Sequence, residues 1–409
     1  MSKPDVIVIG AGAAGILASY TAAMRGAKVL LLEKTDRVGT KILVSGGGKC
    51  NITHDGPIED VLRAYPRNEA QFLRPSFYCY PNTEIVDMLT AQGLRVYTRP
   101  NGRIFPVDQT AKDVCRILHQ YLLDVGVEIQ LSTRVLDIEP GFVIHTNQGD
   151  FESEQIILSV GGKSFPKTGT TGDGYPWVTK LGHTLAPIRA ALAPMEMNLE
   201  GLGVKAGVAL RDVVLKGRVS GKEIARWRDD LLFTHRGVSG PTVLGVAREV
   251  ALAMETGSVL LEVDLCPDQS FEQVSAKLQT WKSKNPNQQL AKFLEGLVPN
   301  SVVEGFAQSC GIEPADKAQE LGKKELNRLV EAIKGWKLGE VGEVVMEKGE
   351  VVAGGVELGE VDPHTMESRV CPGLHLCGEI LDVAGPVGGY NLQAAWSTGF
   401  VAGDSISFG

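Results

Sequence analysis

At 409 residues the chain is long enough for two or three domains, and a hydrophobic fraction of 43% beside 22% charged residues excludes a disordered or fibrous protein. A net charge of −8 argues against broad nonspecific binding to nucleic acid, while leaving room for a local basic face. No apolar run approaches the roughly 18 residues of a membrane span, and the seven scattered cysteines include no Cys-x-x-Cys or Cys/His cluster, so neither a membrane nor a metal is expected. The expectation is a cytoplasmic protein with reduced thiols, whose first strand begins too early to leave room for a signal peptide.

Asp5 to Ile9 reads as a buried strand. It runs into GAGAAG, Gly10 to Gly15, then an apolar stripe to Gly26 and a second strand, Val29 to Leu32, ending on Glu33. A strand, a G-x-G-x-x-G turn, a helix, a strand and an acid about twenty residues on make a dinucleotide fingerprint. Gly10 permits the tight turn, Gly12 admits a pyrophosphate to the main chain, and Gly15 allows close helix–strand packing. Ala13 and Ala14 open the helix whose free N–H groups attract phosphate. Glu33 can accept hydrogen bonds from a ribose.

The next segment, Lys34 to His54, is polar and dense in glycine where a simple nicotinamide domain enters its next helix. Lys34, Lys41, Ser45, Gly46, Gly47 and Asn51 are candidate cofactor contacts, because successive glycines let main chain lie against a planar group. A flexible loop is the alternative. Helical spacing follows over Ile58 to Ala64 and Asn82 to Gly93. Leu94 to Thr98 and Arg103 to Val107 flank an Asn-Gly hairpin step, Ala111 to Val125 is amphipathic, and Val127 to Leu131 and Arg134 to Ile138 read as strands. Gln155 to Val160 is apolar and runs into Gly161-Gly162, like a strand returning to the cofactor.

Residues 190 to 264 alternate in short runs and predict an antiparallel sheet. Ser270 to about Trp336 is helical in pattern, and Val344 to Glu357 returns to alternation. Gly201 to Ala206 matches G-x-G-x-x-A superficially, but it follows no strand and opens no helix, so it reads as a turn. No dedicated NAD(P)H domain is therefore expected, and a nicotinamide donor would dock transiently. Near the C-terminus, Leu374 to Cys377 reads as a strand ended by Gly378-Glu379, and a helix from Tyr390 to Gly403 is entered through Gly388-Gly389, with Asn391 and Leu392 in its first turn. An acid after a strand and a glycine-led helix complete many FAD sites, the acid on the ribityl chain and the helix N-terminus on the pyrimidine edge. FAD is the expected cofactor.

These segments, with TKILVSGGGKCNITH, NGRIFP, LLFTHRGVSGP, TMES and GLHLCGEILDVAGPVGGYNLQAAWSTG, resemble the YhiN/BaiN-type flavoproteins, also described as aminoacetone-oxidase-like, over essentially the whole chain. The resemblance implies an α/β fold: a Rossmann-like FAD-binding domain built from both chain ends, an inserted antiparallel β domain and a small helical domain. The corresponding boundaries are 1–187, 188–268, 269–342 and 343–409. It also implies Val135 as the main-chain adenine contact. Activities in such a family include reduction of an activated C=C bond in bile-acid intermediates, amine oxidation, and reduction of uridine to dihydrouridine in large-subunit ribosomal RNA.

The expected activity is accordingly an FAD-dependent reductase of an activated C=C bond, using NAD(P)H, on structured rRNA or a small molecule. An amine oxidase and a non-catalytic flavin-binding protein are the alternatives. Cys50, Lys49, His235 and Tyr390 are the candidate catalytic residues. Cys50 adjoins Lys49 and glycine amides able to lower its pKa, or else it is an inert packing thiol. Lys49 suits a phosphate or the flavin O2, or is simply solvated. His235 ends a strand and is either an overhanging acid or structural, and Cys377 is a further proton-donor candidate. Arg103 can anchor an anionic substrate, with an ordinary surface arginine as the default reading. Lys205 to Arg236 carries eight basic against four acidic residues, a candidate RNA face or an ordinary β surface.

Overall fold

The computed structural model describes residues 3–408. The chain divides into two compact units, Met1–Ile188 with Glu350–Gly409, and Arg189–Gly349.

In chain order the first unit comprises β1 (Val6–Ile9), α1 (Ala13–Met24), β2 (Val29–Leu32), β3 (Thr53–His54), α2 (Ile58–Arg63), α3 (Arg67–Cys79), α4 (Asn82–Ala91), β4 (Val96–Thr98), β5 (Arg103–Pro106), α5 (Ala111–Asp124), β6 (Glu128–Gln130), β7 (Val135–Ile138), β8 (Val143–Thr146), β9 (Gly149–Glu152), β10 (Ile156–Leu158), α6 (Gly174–Lys180) and β11 (Leu185–Ala190). The second holds β12 (Met195–Met197), β13 (Ala209–Val219), β14 (Lys222–Thr234), β15 (Gly237–Ser239), α7 (Pro241–Ala253), β16 (Leu260–Asp264), α8 (Phe271–Lys284), α9 (Leu290–Leu294), α10 (Asn300–Ser309), α11 (Lys323–Lys334) and β17 (Trp336–Val344). The chain returns to the first with β18 (Val352–Val356), β19 (Leu374–Leu376) and α12 (Tyr390–Asp404).

The first unit is a Rossmann-type α/β domain. Its parallel sheet has the order β19-β10-β1-β2-β6, so the last strand of the chain lies two places from the first. β1, β2, β10 and β19 are buried throughout, as apolar strands covered on both faces must be. Two three-stranded antiparallel sheets accompany it, β3-β5-β4 and β7-β8-β9.

Both chain ends meet through α1 and α12. A Cβ on Gly399 would fall well inside contact distance of the Ala14 carbonyl oxygen, and one on Gly403 of the Ala18 carbonyl oxygen. Gly399 and Gly403 on one helix thus face Ala14 and Ala18 on the other, the small-xxx-small spacing that lets helix backbones approach closely.

The second unit closes strands β12-β15-β14-β13-β16-β17 into a barrel, with its own core that includes Phe233, Val246, Phe306 and Trp336. Two elements here escape the sequence reading. Helix α7 lies inside a stretch read as alternating strands, and β17 begins where helical spacing was expected to end. Gly203 has φ +60, and a Cβ there would lie 2.8 Å from the Gly305 Cα, so the Gly201–Ala206 segment is a turn packed on α10.

Candidate active site

The glycine turn between β1 and α1 combines two packed glycines with an open one. A Cβ at Gly10 (φ +99) would lie 2.7 Å from the Ser159 carbonyl oxygen, and one at Gly15 would overlap the Gly10 carbonyl oxygen. One at Gly12 would meet nothing within 4 Å. Gly12 caps α1 without a side-chain hydrogen bond, and the first turn holds no acid. The open side of the turn therefore presents unsatisfied N–H groups and the positive end of the helix dipole. Glu33 stands beside it. Its Oε2 accepts from Ala11 N (2.7 Å) and its Oε1 from Thr35 N (2.8 Å), leaving a lone pair on each oxygen.

Segments distant in sequence surround this turn. The Glu33 carbonyl accepts from Thr133 N (2.8 Å), which places the approach to Val135 next to the acid. Val135 is buried on β7, an edge strand of its sheet. Lys34 Nζ donates to Asp173 (2.6 Å) and Thr171 (2.7 Å). Lys41 Nζ donates to Glu379 Oε2 (2.5 Å) and Ser164 Oγ (3.0 Å). Glu379 Oε1 accepts from Val352 N (2.9 Å), so each of its oxygens has a protein partner. Gly161 has φ +71, and a Cβ there would sit 3.8 Å from Glu379; a Cβ on Gly378 (φ +75) would sit 2.9 Å from the Ala14 Cβ.

The Ser-Gly-Gly-Gly segment is a tight loop. Gly46, Gly47 and Gly48 take φ of +55, +68 and +87, and Ser45 Oγ donates to the Ile42 carbonyl (2.7 Å). A Cβ on Gly46 would press on the Phe105 ring at 2.8 Å, whereas one on Gly47 would meet nothing. Lys49 is exposed.

The start of α12 clasps the following strand. Asn51, with its amide oriented to satisfy both neighbours, accepts from Gly389 N (2.9 Å). Gln393 Oε1 accepts from Thr53 Oγ1 (2.6 Å), and Trp396 Nε1 donates to the Ile52 carbonyl (3.0 Å). Asn391 closes the preceding loop through two 2.8 Å bonds to Gly385, and Leu392 packs against the core. Gly388 and Gly389 have φ of +146 and +93. The Tyr390 ring stacks on His54 (centroids 4.7 Å, 22°) and meets Tyr65 edge-on (6.1 Å, 89°). The Tyr65 hydroxyl donates to the Tyr390 carbonyl (2.6 Å). Burial raises the Tyr390 phenol above its ordinary pKa, and the nearby Arg103 guanidinium works against that.

One expectation is corrected. Cys50 is fully buried, and burial pushes its thiol up to about 12, against a smaller opposing effect from Ser45. Lys49 and the glycine amides do not lower it. Cys377 is likewise buried, with its pKa raised by burial. His235 belongs to the second unit, exposed on the turn between β14 and β15, next to Arg236, which pairs with Glu196 (2.7 Å).

The sequence reading passed over His54, Tyr65 and Glu69. Glu69 is a fully buried acid whose Oε2 accepts from Ala384 N (2.9 Å), fixing the loop before α12. It sits in α3, a polar helix with an internal proline, and no pattern there distinguishes it. His54 carried a signal, since it lies within the quoted NITH segment.

Most of the basic stretch proves to be paired: six of its eight basic residues face an acid. Arg218 pairs with Glu262, Arg226 with Glu223, Arg228 with Asp212 and Asp268, Arg211 with Asp230, Arg236 with Glu196 and Lys216 with Asp264. Four of those acids, Glu196, Glu262, Asp264 and Asp268, lie outside the stretch and were invisible to a count along it.

The parts at the glycine turn suit an FAD molecule: helix N–H groups for its diphosphate, a carboxylate for its ribose, and a second glycine-led helix at the far end of the chain. Fold and site together define an FAD-dependent oxidoreductase with a Rossmann-type domain. The chain belongs to the HI0933-like family, whose Rossmann-domain description matches residues 4–405. It is 31% identical to the ribosomal RNA dihydrouridine synthase of Escherichia coli, over 99% of this chain and 98% of that protein. It is 32% identical to the 3-dehydro-bile acid delta(4,6)-reductase of Clostridium scindens, over 97% of each. In fold it is similar to a 3-ketosteroid delta1-dehydrogenase from Sterolibacterium denitrificans (TM-score 0.54, 13% identity, 99% of each chain) and to a 3-ketosteroid-delta4-(5alpha)-dehydrogenase from Rhodococcus jostii (TM-score 0.51, 16% identity, 99% of this chain and 96% of that one). No helix among the described residues is long and apolar enough to cross a membrane.

Proposed function

We propose that this protein reduces a C=C bond conjugated to a carbonyl, with NAD(P)H as electron donor, and that its substrate is a uridine of large-subunit ribosomal RNA. The observation that carries the reading is the near full-length kinship to two reductases whose names imply one reaction type. The uridine C5=C6 bond is conjugated to the C4 carbonyl, and a Δ4,6 bond system to the 3-oxo group of a steroid. Each reduction adds hydride to the carbon of the C=C bond farther from the carbonyl along the conjugated system and a proton to its other carbon.

FAD, once bound, supplies the hydride; the protein holds it, positions the substrate and delivers the proton. Gly10, Gly12, Ala13, Ala14 and Gly15 would take the diphosphate, Glu33 the ribose and Val135 the adenine. Lys34, Lys41 and Glu379 would brace the site from behind, with Gly161 and Gly378 allowing close approach. Ser45, Gly46, Gly47, Asn51, Gly388, Gly389, Asn391 and Leu392 would line the reactive end. Lys49 is exposed there to meet an anionic group.

Tyr390 is our choice for the proton donor. Its phenol is half-buried, protonated at neutral pH and braced by two aromatic rings, whereas Cys50 and Cys377 are sealed in the core. NAD(P)H would dock transiently at the flavin. An rRNA substrate places the protein in the cytoplasm. A small enone is the second reading, supported by the bile-acid reductase kinship. Mapping dihydrouridine by mass in rRNA from a deletion strain is the test: one missing dihydrouridine, restored by the gene, is the expected result, and unchanged rRNA sinks the rRNA reading.

A further inference from the structure

An RNA substrate needs a contact surface, and the paired hairpin of β13 and β14 offers little uncompensated charge. The β4–β5 hairpin offers a better one. β4 is the edge strand of its sheet, and Tyr97 and Thr98 on it are exposed, as is Arg95 just before it, which pairs with Asp108. The Arg99 guanidinium lies over the Phe105 ring at 4.0 Å, and its Nε donates to the Tyr97 hydroxyl (3.4 Å). The Tyr97 and Phe105 rings lie 6.2 Å apart, tilted by 31°. Arg99 thus sits over the Phe105 ring beside an exposed tyrosine, without a carboxylate partner among the described residues. An arginine plane next to an exposed aromatic ring is the surface on which unpaired bases stack.

The hairpin also belongs to the rim of the candidate active site. Phe105, which carries Arg99 on its ring, supports Gly46 of the glycine loop. His54 Nε2 bonds the Asn101 carbonyl at the hairpin tip (3.1 Å), and the same His54 ring stacks on Tyr390. From these contacts we infer that the β4–β5 hairpin is the RNA-docking element, with Tyr97 and Arg99 stacking on unpaired bases next to the target uridine and with Lys49 drawing the backbone. This rests on the rRNA reading above. It commits to a looped or single-stranded segment, because bases in a duplex present no free face.

The test uses the full-length flavoprotein, a short fluorescein-labelled RNA hairpin with uridines in its loop, and rRNA from the deletion strain. Tyr97→Ala and Arg99→Ala should each weaken RNA binding about tenfold or more. Both should leave the dependence of log affinity on log salt nearly unchanged, whereas Lys49→Ala should reduce it by roughly 0.7, the value for one single-strand phosphate contact. Flavin content, far-UV circular dichroism and reduction of a small cyclic enone should stay at wild-type level in both. Neutralising Arg218, Arg226 and Arg228 together should cost much less. Unaltered RNA affinity in the hairpin variants, or a loss confined to the triple variant, overturns the inference while leaving the rRNA reading intact. A wild-type protein that neither binds nor modifies RNA but reduces enones overturns the rRNA reading itself.

Discussion

Lys41 Nζ lies 2.5 Å from Glu379 Oε2, a bond between residues 338 positions apart that ties the segment after β2 to the segment after β19. Both side chains are largely buried, and the carboxylate is also held by Ser164 and Val352. Removing one partner leaves a charge in a site built for two. Lys41→Met and Glu379→Gln are each expected to cost about 1–3 kcal/mol and to shed flavin. The double variant Lys41→Met with Glu379→Gln should cost less than the sum of the two. Urea titrations and flavin content of the four proteins decide this, and strict additivity would show the pair to be uncoupled.

Gly12 and Gly15 make opposite demands. A side chain at Gly12 enters open space, whereas one at Gly15 strikes main chain. Gly12→Val is expected to leave the apoprotein as stable as wild type yet colourless, because the added methyls fill the place where the diphosphate would approach. Gly15→Ala should lower stability by about 1–3 kcal/mol before any cofactor is considered. Visible absorbance and thermal denaturation of the apoproteins separate the two. A yellow Gly12→Val protein would remove the diphosphate from this turn.

The contrast shows what the sequence could and could not express. The G-x-G-x-x-G turn, Glu33 and the glycine-led α12 were legible because each rests on local main-chain geometry. The contact of α12 with α1 was visible only as a family resemblance, since Gly399 and Gly403 look like ordinary helix glycines until Ala14 and Ala18 are placed against them. Lys41 and Glu379 were singled out separately, but nothing in the order of residues joins them. Cys50 reads from sequence as either an activated or a packing thiol, and its neighbours do not decide between them; packing from α5 and the loop, which seals the thiol away, favours the packing thiol. Likewise the basic stretch lost much of its apparent excess to acids on β12, on β16 and in the loop beyond β16.

The interlock of α1 and α12 should be sensitive to single methyl groups. Gly399→Ala and Gly403→Ala are each expected to destabilise the protein by about 1–3 kcal/mol, whereas Gly359→Ala, at an exposed position with nothing within 4 Å, should change little. Equal denaturation midpoints for all three would mean that the helices do not pack as closely as described.

Buried thiols make alkaline stability predictable in sign. Burial pushes Cys50 and Cys115 each up to about 12, above the roughly 8.5 of a free thiol. A group raised in the folded state contributes stability that is complete below its unfolded value and is lost as pH rises towards the folded one. Between about pH 8.5 and 12 each thiol therefore lowers stability, with a limiting slope of about 1.4 kcal/mol per pH unit. Urea midpoints should fall across that window, and Cys50→Ala should flatten the fall. The exposed Cys79 should react with a thiol reagent at mildly alkaline pH while Cys50 does not. An identical slope in Cys50→Ala would contradict the sealed thiol.

Tyr390 and His54 allow the proton path to be tested apart from electron delivery. Tyr390→Phe keeps the ring on its His54 shelf and removes only the phenolic proton. Anaerobic bleaching by NAD(P)H is expected to be unchanged, and reoxidation by the unsaturated substrate to slow by about 10²–10⁴-fold, the usual worth of a general acid. His54→Ala should slow the same step less, by freeing the ring, and His54→Phe should recover part of the loss because it restores a flat surface. Stopped-flow measurement of the two half-reactions distinguishes these effects, since a general folding defect would slow both. If Tyr390→Phe reoxidises as fast as wild type, the proton comes from water, and the stacked pair of rings serves only to shape the entrance to the site.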